Sequence, residues 1–584
     1  MEALEQGLVE HSRHNSSGNR SLLVLVDSEA PYRQRCIVDE TVLVALEHFG
    51  FPYRLMDLAV QRPTAEALVQ SAGLILAQDG VTGRLTPGES RLIADGVEQG
   101  IGLVSLDWDL RHANGALLAV FGFEEVDPRP IASNEFMVPS NEHYITQFQE
   151  PRAIHRSDRM VTSLSVGRWG EATVPLLYAM LGKEQLVFIR HLVPGSAYEP
   201  GHYPVVFAAQ SGRGRAVQFA VNPRLWRHGA LGHLGGLTDV FWRSIVWTAR
   251  KPFVANMIPP FVTLSFDDCI GRHRFRYLDV CTEHGYIPLV GIFIDRIQDR
   301  DVPLLRDKAN AGDILINTHG GSTYYQKLTY DFGIDELPED VIAERFARED
   351  ARYAGWGIEP CRTFRGHFGE IGVRALPHLK ARGRTFLCTP IHVGEHKADQ
   401  FSRDGYWPFD SVRCFYDRLP DDHDFLIFGS FNERHLVDFL TGTTMWLHEA
   451  PRNDLERAAE RGAEQIRNGL SNGFFGEILT HEQKFDALTV EEWDQILTLI
   501  EDQVAQYERI SASHDEIGDY ITDKSRCWIS QVELEDDGPA TCRVSGHAAH
   551  RLQLSVFQQH DSDVERRLLP VPAFEGKSET IKLT

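Results

Sequence analysis

Phe261-Val262-Thr263-Leu264-Ser265-Phe266-Asp267-Asp268 is a short apolar, β-branched run closed by two adjacent carboxylates. Its length and composition predict a buried strand, and in an α/β protein the end of such a strand is where reactive side chains meet substrate. Two like charges in adjacent positions push one pKa up and call for a cation or a hydrogen-bonded partner. Such a pair can supply one metal ligand and one proton acceptor. Asp is also favoured where a strand hands over to a helix, so the dipeptide alone reads equally as a cap.

Downstream of this run the chain alternates strand and helix to about residue 523. The strands are expected at 288–294, 313–317, 363–365, 385–387, 424–428 and 474–479, and the helices near 275–284, 303–311, 338–354, 373–382, 453–468 and 490–510. About seven such units predict a deformed (β/α) barrel, in which chemistry gathers at the C-terminal strand ends. Polar residues recur there: Asp267 and Asp268, then Thr318-His319-Gly320, then Arg365-Gly366-His367, then Thr480-His481-Glu482. Carboxylates, imidazoles and a guanidinium at barrel-strand ends are the inventory of a metal-assisted hydrolase.

Ahead of the barrel, Leu22–Val26, Tyr53–Asp57, Gly73–Ala77 and Ile101–Leu106 read as strands, with helices at Val38–Phe49 and Thr86–Gln99 between them. This alternation predicts a doubly wound, mostly parallel α/β domain over 21–250. Shorter strands are expected within 154–166, 186–190 and 204–209. Residues 1–20 are polar and are expected to be a disordered lead-in, not a secretion signal. Beyond Tyr520 half-exposed alternation predicts a small separate β-rich domain at 524–584.

The 584 residues suggest roughly three to four domains. The hydrophobic fraction of 42% is globular. A formal net charge of −24 repels phosphate backbones and anionic membranes, which argues against nucleic acid as a partner. No run approaches the ~18 apolar residues of a membrane span. The eight cysteines show no CxxC, as expected of reduced, small apolar side chains; Cys527 and Cys542 are the one candidate pair for a hairpin disulfide.

On the motifs quoted above, residues 261–523 resemble the polysaccharide deacetylase (NodB-homology, carbohydrate esterase) superfamily. Its landmarks are a T-F-D-D strand end, an H-x-x-x-H motif, an R-x-P-x-G loop and a late L-x-H. They stand here as Leu264-Ser265-Phe266-Asp267-Asp268, His319-Gly320-Gly321-Ser322, Arg365-Gly366-His367-Phe368-Gly369 and Leu479-Thr480-His481. The resemblance implies Asp267 as general base, His481 as general acid and Arg365 as the partner that orients Asp267. It also implies Asp268 and His319 as ligands of a divalent metal, zinc being the ion expected.

The chain departs from the pattern at Thr323, where the second histidine of H-x-x-x-H would stand, and at His367, where the family has proline. His367 is able to supply the missing imidazole or to contact substrate; Ser322, Thr323 or water are the other candidates for the shell. The first domain resembles flavodoxin-like or class I glutamine-amidotransferase-like domains in pattern alone. No Gly-x-Cys-x-Gly elbow is present, and no GxGxxG follows the first strand.

The expected activity is metal-assisted removal of acetyl groups from an N-acetylated carbohydrate, in a chain expected to be cytoplasmic and of unspecified oligomeric state. The alternatives are a small-molecule amide or cyclic-amide hydrolase on the same fold, and a carbohydrate-binding pseudoenzyme with an incomplete metal site. Aromatic loops at Trp407–Asp410 and Thr443–Glu449, with Asn432–His435, are candidates for lining the mouth.

Overall fold

The structure is a computed structural model that describes residues 16–192, 199–226, 237–322, 328, 337–367, 371–388, 391–392, 405–406, 416–419, 422–428, 439–440, 454–534, 540–560, 563–576 and 578–583. They form two compact units. Residues 1–257 and 523–584 belong to the first, and residues 258–522 form the second.

In the first unit, β1 (Leu22–Val26), β2 (Tyr53–Asp57), β3 (Gly73–Leu76) and β4 (Gly102–Ser105) pair in parallel. Next come β5 (Phe123–Met137), β6 (Ile154–Trp169), β7 (Thr173–Leu181), β8 (Gly201–Ser211) and β9 (Gly214–Phe219). The sheet order is β2-β1-β3-β4-β9-β8-β7-β5-β6, and β9 is parallel to β4. Alternation along β1 fills two cores: Leu22, Val24 and Val26 pack with Phe49 and Phe241 on one face, Leu23 and Leu25 with Leu68 and Ile93 on the other. Burial of both faces explains why this strand is apolar throughout.

The region 120–220 differs from expectation. It is an antiparallel arm of long strands joined to the parallel strands through β9. The expected strand at 186–190 lies in the helix Lys183–Leu192. Gln185 Oε1 accepts the Gly182 N–H at 3.0 Å, a side chain reaching back to an otherwise unpaired donor at the helix start.

The separate C-terminal domain expected at 524–584 is not found. β10 (Phe253–Ala255) pairs antiparallel with the strand Leu552–His560, Phe253 opposite Phe557, and Phe557 joins the core that holds Phe49 and Phe241. Burial of that apolar face ties the last segment to the first unit and puts its boundary at 257, not 250. Residues 16–20 are likewise no loose lead-in: Ser16 N–H donates to Tyr53 O, and Asn19 exchanges hydrogen bonds with the Leu534 backbone. Cys527 and Cys542 are free thiols; they stand opposite Gly546 and Val532 respectively, so the hairpin register keeps them apart.

The second unit opens with β11 (Phe261–Cys269), followed by β12 (Leu289–Phe293), β13 (Leu315–Gly320), β14 (Thr363–Phe364), β15 (Ile371–Gly372) and β16 (Phe386–Leu387). Then come β17 (Ile391–His392), β18 (Gly405–Tyr406), β19 (Tyr416–Arg418), β20 (Leu426–Phe428), β21 (Gly476–His481) and β22 (Ile510–Ser511). One sheet runs β13-β12-β11-β21 with β22 also on β11, and a second runs β14-β16-β20-β19. Every pairing in them is parallel except β19 with β20.

The unit is therefore α/β with parallel sheets, as the alternation predicts, but among the described residues the strands do not close into a barrel. Between β13 and β14 a backbone bond from Cys361 N–H to Ile316 O stands where a ladder would run. Beyond it the side chain of Asn317 meets the backbone of Arg365 in the seam.

Candidate metal centre

β11 places Thr263, Ser265 and Asp267 on one face, because side chains alternate along a strand. The parallel register with β21 sets Thr263 opposite Glu477, Ser265 opposite Leu479 and Asp267 opposite His481. The expected base and acid thus sit at matching ends of adjacent strands. All nine residues of β11 are buried, so its two carboxylates are held out of water.

Asp268 turns the chain. Its φ is +60°, a left-handed conformation that costs a non-glycine residue of order 1 kcal/mol and that Asp tolerates better than most. The turn delivers its carboxylate to two imidazoles. Asp268 Oδ1 lies 3.2 Å from His367 Nε2 and 3.6 Å from His319 Nε2. Ligand atoms of these three buried residues all fall within 4.8 Å of one another.

Asp268 Oδ1 is buried and accepts no hydrogen bond. Oδ2 is held by the Gln483 amide at 3.1 Å. Burial works to raise the Asp268 carboxyl, but the imidazoles of His367, His481 and His319, with the Gln483 amide, outweigh it and hold the group below its ordinary value. A tetrahedral zinc with bonds of ~2.0 Å spaces its ligand atoms roughly 3.3 Å apart. One carboxylate and two imidazoles at 3.2 and 3.6 Å suit such an ion.

His319 is oriented from behind. Its Nδ1 lies 3.2 Å from the Arg365 carbonyl oxygen; a carbonyl only accepts, so this contact requires the proton on Nδ1 and leaves Nε2 free toward Asp268. The Phe293 ring stands edge-on to both imidazoles, at centroid distances of 6.1 Å to His319 and 5.3 Å to His367.

Arg365 lies in the layer beneath. Its guanidinium donates to Ser265 Oγ at 2.6 Å and to Glu477 Oε1 at 2.9 Å, and reaches Cys388 Sγ at 3.4 Å. His514 Nε2 approaches the same Glu477 oxygen at 3.0 Å. Despite complete burial, Arg365, His514 and Ser265 hold the Glu477 carboxyl well below the usual range. The resemblance assigns Arg365 to orient Asp267; its described guanidinium bonds run instead to Ser265, one alternation behind Asp267, and to Glu477.

Glu482, directly after His481, anchors the loop that follows Asp268. Its carboxylate accepts the backbone N–H groups of Ile270, Gly271 and Arg272 and the Tyr277 hydroxyl. Burial pushes its carboxyl up to about 7 against those donors.

The structure therefore brings Asp267, Asp268, His319, His367, Arg365 and His481 into one region of one unit. The sequence reading named Glu482 without a role and missed Glu477, Gln483 and His514. A charged residue inside the apolar run Phe474–Leu479 was the one local signal, for Glu477. Thr323, Trp407–Asp410, Asn432–His435 and Thr443–Glu449 lie outside the described residues.

No family model matches this chain, and no curated protein matches it. Solved structures resembling it include a putative polysaccharide deacetylase from Mycobacterium smegmatis (14% identity, 45% of this chain and 89% of that one, TM-score 0.32). They include the family 4 carbohydrate esterase from Streptomyces lividans (13%, 44% and 93%, TM-score 0.26). The chitin deacetylase from Colletotrichum lindemuthianum also resembles it (9%, 43% and 85%, TM-score 0.26). Similarity this low lends no weight to an activity, which rests on the residues themselves. These neighbours add nothing to the flavodoxin-like or glutamine-amidotransferase-like resemblance of the first unit. Among the described residues no helix is long and apolar enough to cross a membrane.

Proposed function

We propose that the second unit is a divalent-metal-dependent hydrolase that removes acetyl groups from the amide nitrogen of an N-acetylated carbohydrate. The observation that carries this reading is the convergence of Asp268, His319 and His367 around a buried carboxylate oxygen that accepts no hydrogen bond. Asp268, His319 and His367 would hold the ion. When bound, a divalent ion such as zinc lowers the pKa of a water and polarises an amide carbonyl.

The rest falls to side chains of this chain. Asp267, beside the ligand set with Oδ1 3.9 Å from His319 Nδ1, takes the proton from water. His481, opposite it on β21, gives a proton to the departing amine. Gln483 fixes one oxygen of Asp268 so that the other faces the imidazoles. Phe293 walls the imidazoles on one side with an apolar edge.

Metal analysis of the purified chain tests the ligand set: bound divalent ion is expected in the wild type and lost in Asp268→Ala and His367→Ala. Acetate release from a panel of N-acetylated glycans tests the substrate. Asp267→Asn should lower kcat by roughly 10²–10⁴. A chain that binds no divalent ion, or whose turnover ignores both chelator and Asp268→Ala, would overturn the metal reading. Silence on every glycan together with hydrolysis of small acetamides would move the substrate to the small-molecule class.

A further inference from the structure

We infer that Asn317 is a positioning residue that holds the two imidazoles of this centre in register across the break in the sheet. The inference rests on the proposed ligand set.

The two histidines come from different sheets. His319 is on β13, the last strand of the first sheet, and His367 follows β14, an edge strand of the second. Adjacent strands are normally locked by a backbone ladder, but β13 and β14 do not pair. The Cys361 to Ile316 bond lies toward the starts of both strands, away from the site.

At the site, a side chain takes the place of the ladder. Asn317 Nδ2 donates to the Arg365 carbonyl at 2.8 Å, and Asn317 Oδ1 accepts the Arg365 N–H at 3.3 Å. A primary amide carries one acceptor and a donor pair in the same plane, so it satisfies both backbone groups of one residue as a neighbouring strand would. Asn317 is 2% exposed, so water offers no substitute partner.

Two consequences follow for the centre. Fixing the Arg365 carbonyl fixes the acceptor that holds His319 in its Nδ1–H form. Fixing the Arg365 backbone also fixes the start of the short segment that carries His367 to within 3.2 Å of Asp268. Asn317 touches neither imidazole in the described contacts and acts through Arg365. The arrangement explains how an imidazole from a different strand can stand in for one absent at Thr323.

The test compares Asn317→Ala with Thr318→Val in the full chain. Thr318 is the next residue on β13 and hydrogen-bonds the Tyr353 hydroxyl at 2.8 Å, so Thr318→Val removes a buried bond of the same strand without touching Arg365. Two readouts are taken: cobalt(II) affinity from its visible absorption in competition with a chelator, and the tautomer of His319 from nitrogen resonances of the metal-free protein, assigned with His319→Gln. Asn317→Ala should weaken cobalt binding by about 10–100-fold and shift His319 from the Nδ1–H form to a mixture. Thr318→Val should leave both readouts as in the wild type.

Equal losses in the two variants, or an unchanged His319 tautomer in Asn317→Ala, would overturn the positioning role. If the wild type takes up no cobalt, the metal reading falls, and the His319 resonances still decide whether Asn317 sets the imidazole.

Discussion

The Nε2 atom of His367 lies 3.2 Å from Oδ1 of Asp268, joining the end of β11 to the segment after β14. Strands from two different sheets are thereby committed to one small volume. Substitutions that shift either end by a fraction of an ångström should be felt in function before stability.

Gly291 on β12 is the clearest case. A Cβ there would sit 3.1 Å from Asp267 Oδ1 and 3.2 Å from both the Cβ of His319 and the Phe266 carbonyl. Gly291→Ala should cost about 1–3 kcal/mol by overpacking. It should also lower turnover per folded molecule, because it wedges apart the proposed base and a proposed ligand. Steady-state kinetics on protein shown folded by circular dichroism checks this.

Glu482→Gln should remove part of the anchor on Ile270, Gly271 and Arg272, costing about 1–3 kcal/mol in urea unfolding. The sign of its pH dependence follows from burial, which raises the carboxyl from 4.5 to about 7 in the folded state. Between those values the folded chain holds a proton that the unfolded chain has released. Stability from this group is complete below pH 4.5 and is lost as pH rises through about 7; the loss is up to about 3 kcal/mol. Glu482→Gln should flatten that part of the profile, and unfolding curves across the window that keep the wild-type slope would contradict it.

Helix Glu339–Trp356 carries a second buried charge. Glu349 and Arg384 are 1% and 2% exposed and pair at 2.7 Å. Arg384→Met leaves Glu349 buried without its cation and should cost about 3–5 kcal/mol, whereas adding Glu349→Leu to it should recover most of that loss. Chemical denaturation of both single variants and the double variant measures the coupling.

His284 bridges two helix carboxylates, with Nε2 2.9 Å from Asp494 and Nδ1 3.0 Å from Glu501. Burial lowers its pKa, but the two acids more than offset this and raise it above the ordinary value. The bridge should stabilise fully below the unfolded value near 6.5 and fade as pH rises through the raised folded value. Solvent screening holds the effect below about 1 kcal/mol. His284→Gln should therefore destabilise more at about pH 6 than at about pH 9, as read by urea midpoints.

The four clusters at strand ends were legible in sequence because each follows a run whose apolar pattern marks a strand, so Asp267, Asp268, His319, Arg365, His367 and His481 declare themselves by position. The first four parallel strands were readable for the same reason. What sequence could not supply was register. Glu477 matters because the β11–β21 register brings it to Ser265 and Arg365, and Gln483 because a turn folds it back to Asp268. No local pattern encodes either. Closure into a barrel is not seen among the described residues, and sequence alone could not decide it, because short runs such as Thr363–Phe364 identify strands without saying whether their neighbours are bonded by backbone or by a side chain. The 186–190 run misled because an apolar stretch of four residues fits both strand and buried helix, and Gln185 decides it only through its bond to Gly182.

The pairing of β10 with Leu552–His560 also sets an order of events during synthesis. All of Ile258–Thr522 must leave the ribosome before β10 acquires its neighbour, a delay of some tens of seconds at roughly 5–20 residues per second. Throughout that interval the Phe253 edge is an unpaired template beside an uncovered Trp242. Nascent chains stalled before residue 552 are thus the species most in need of a chaperone, while the inserted unit has time to fold as a closed loop.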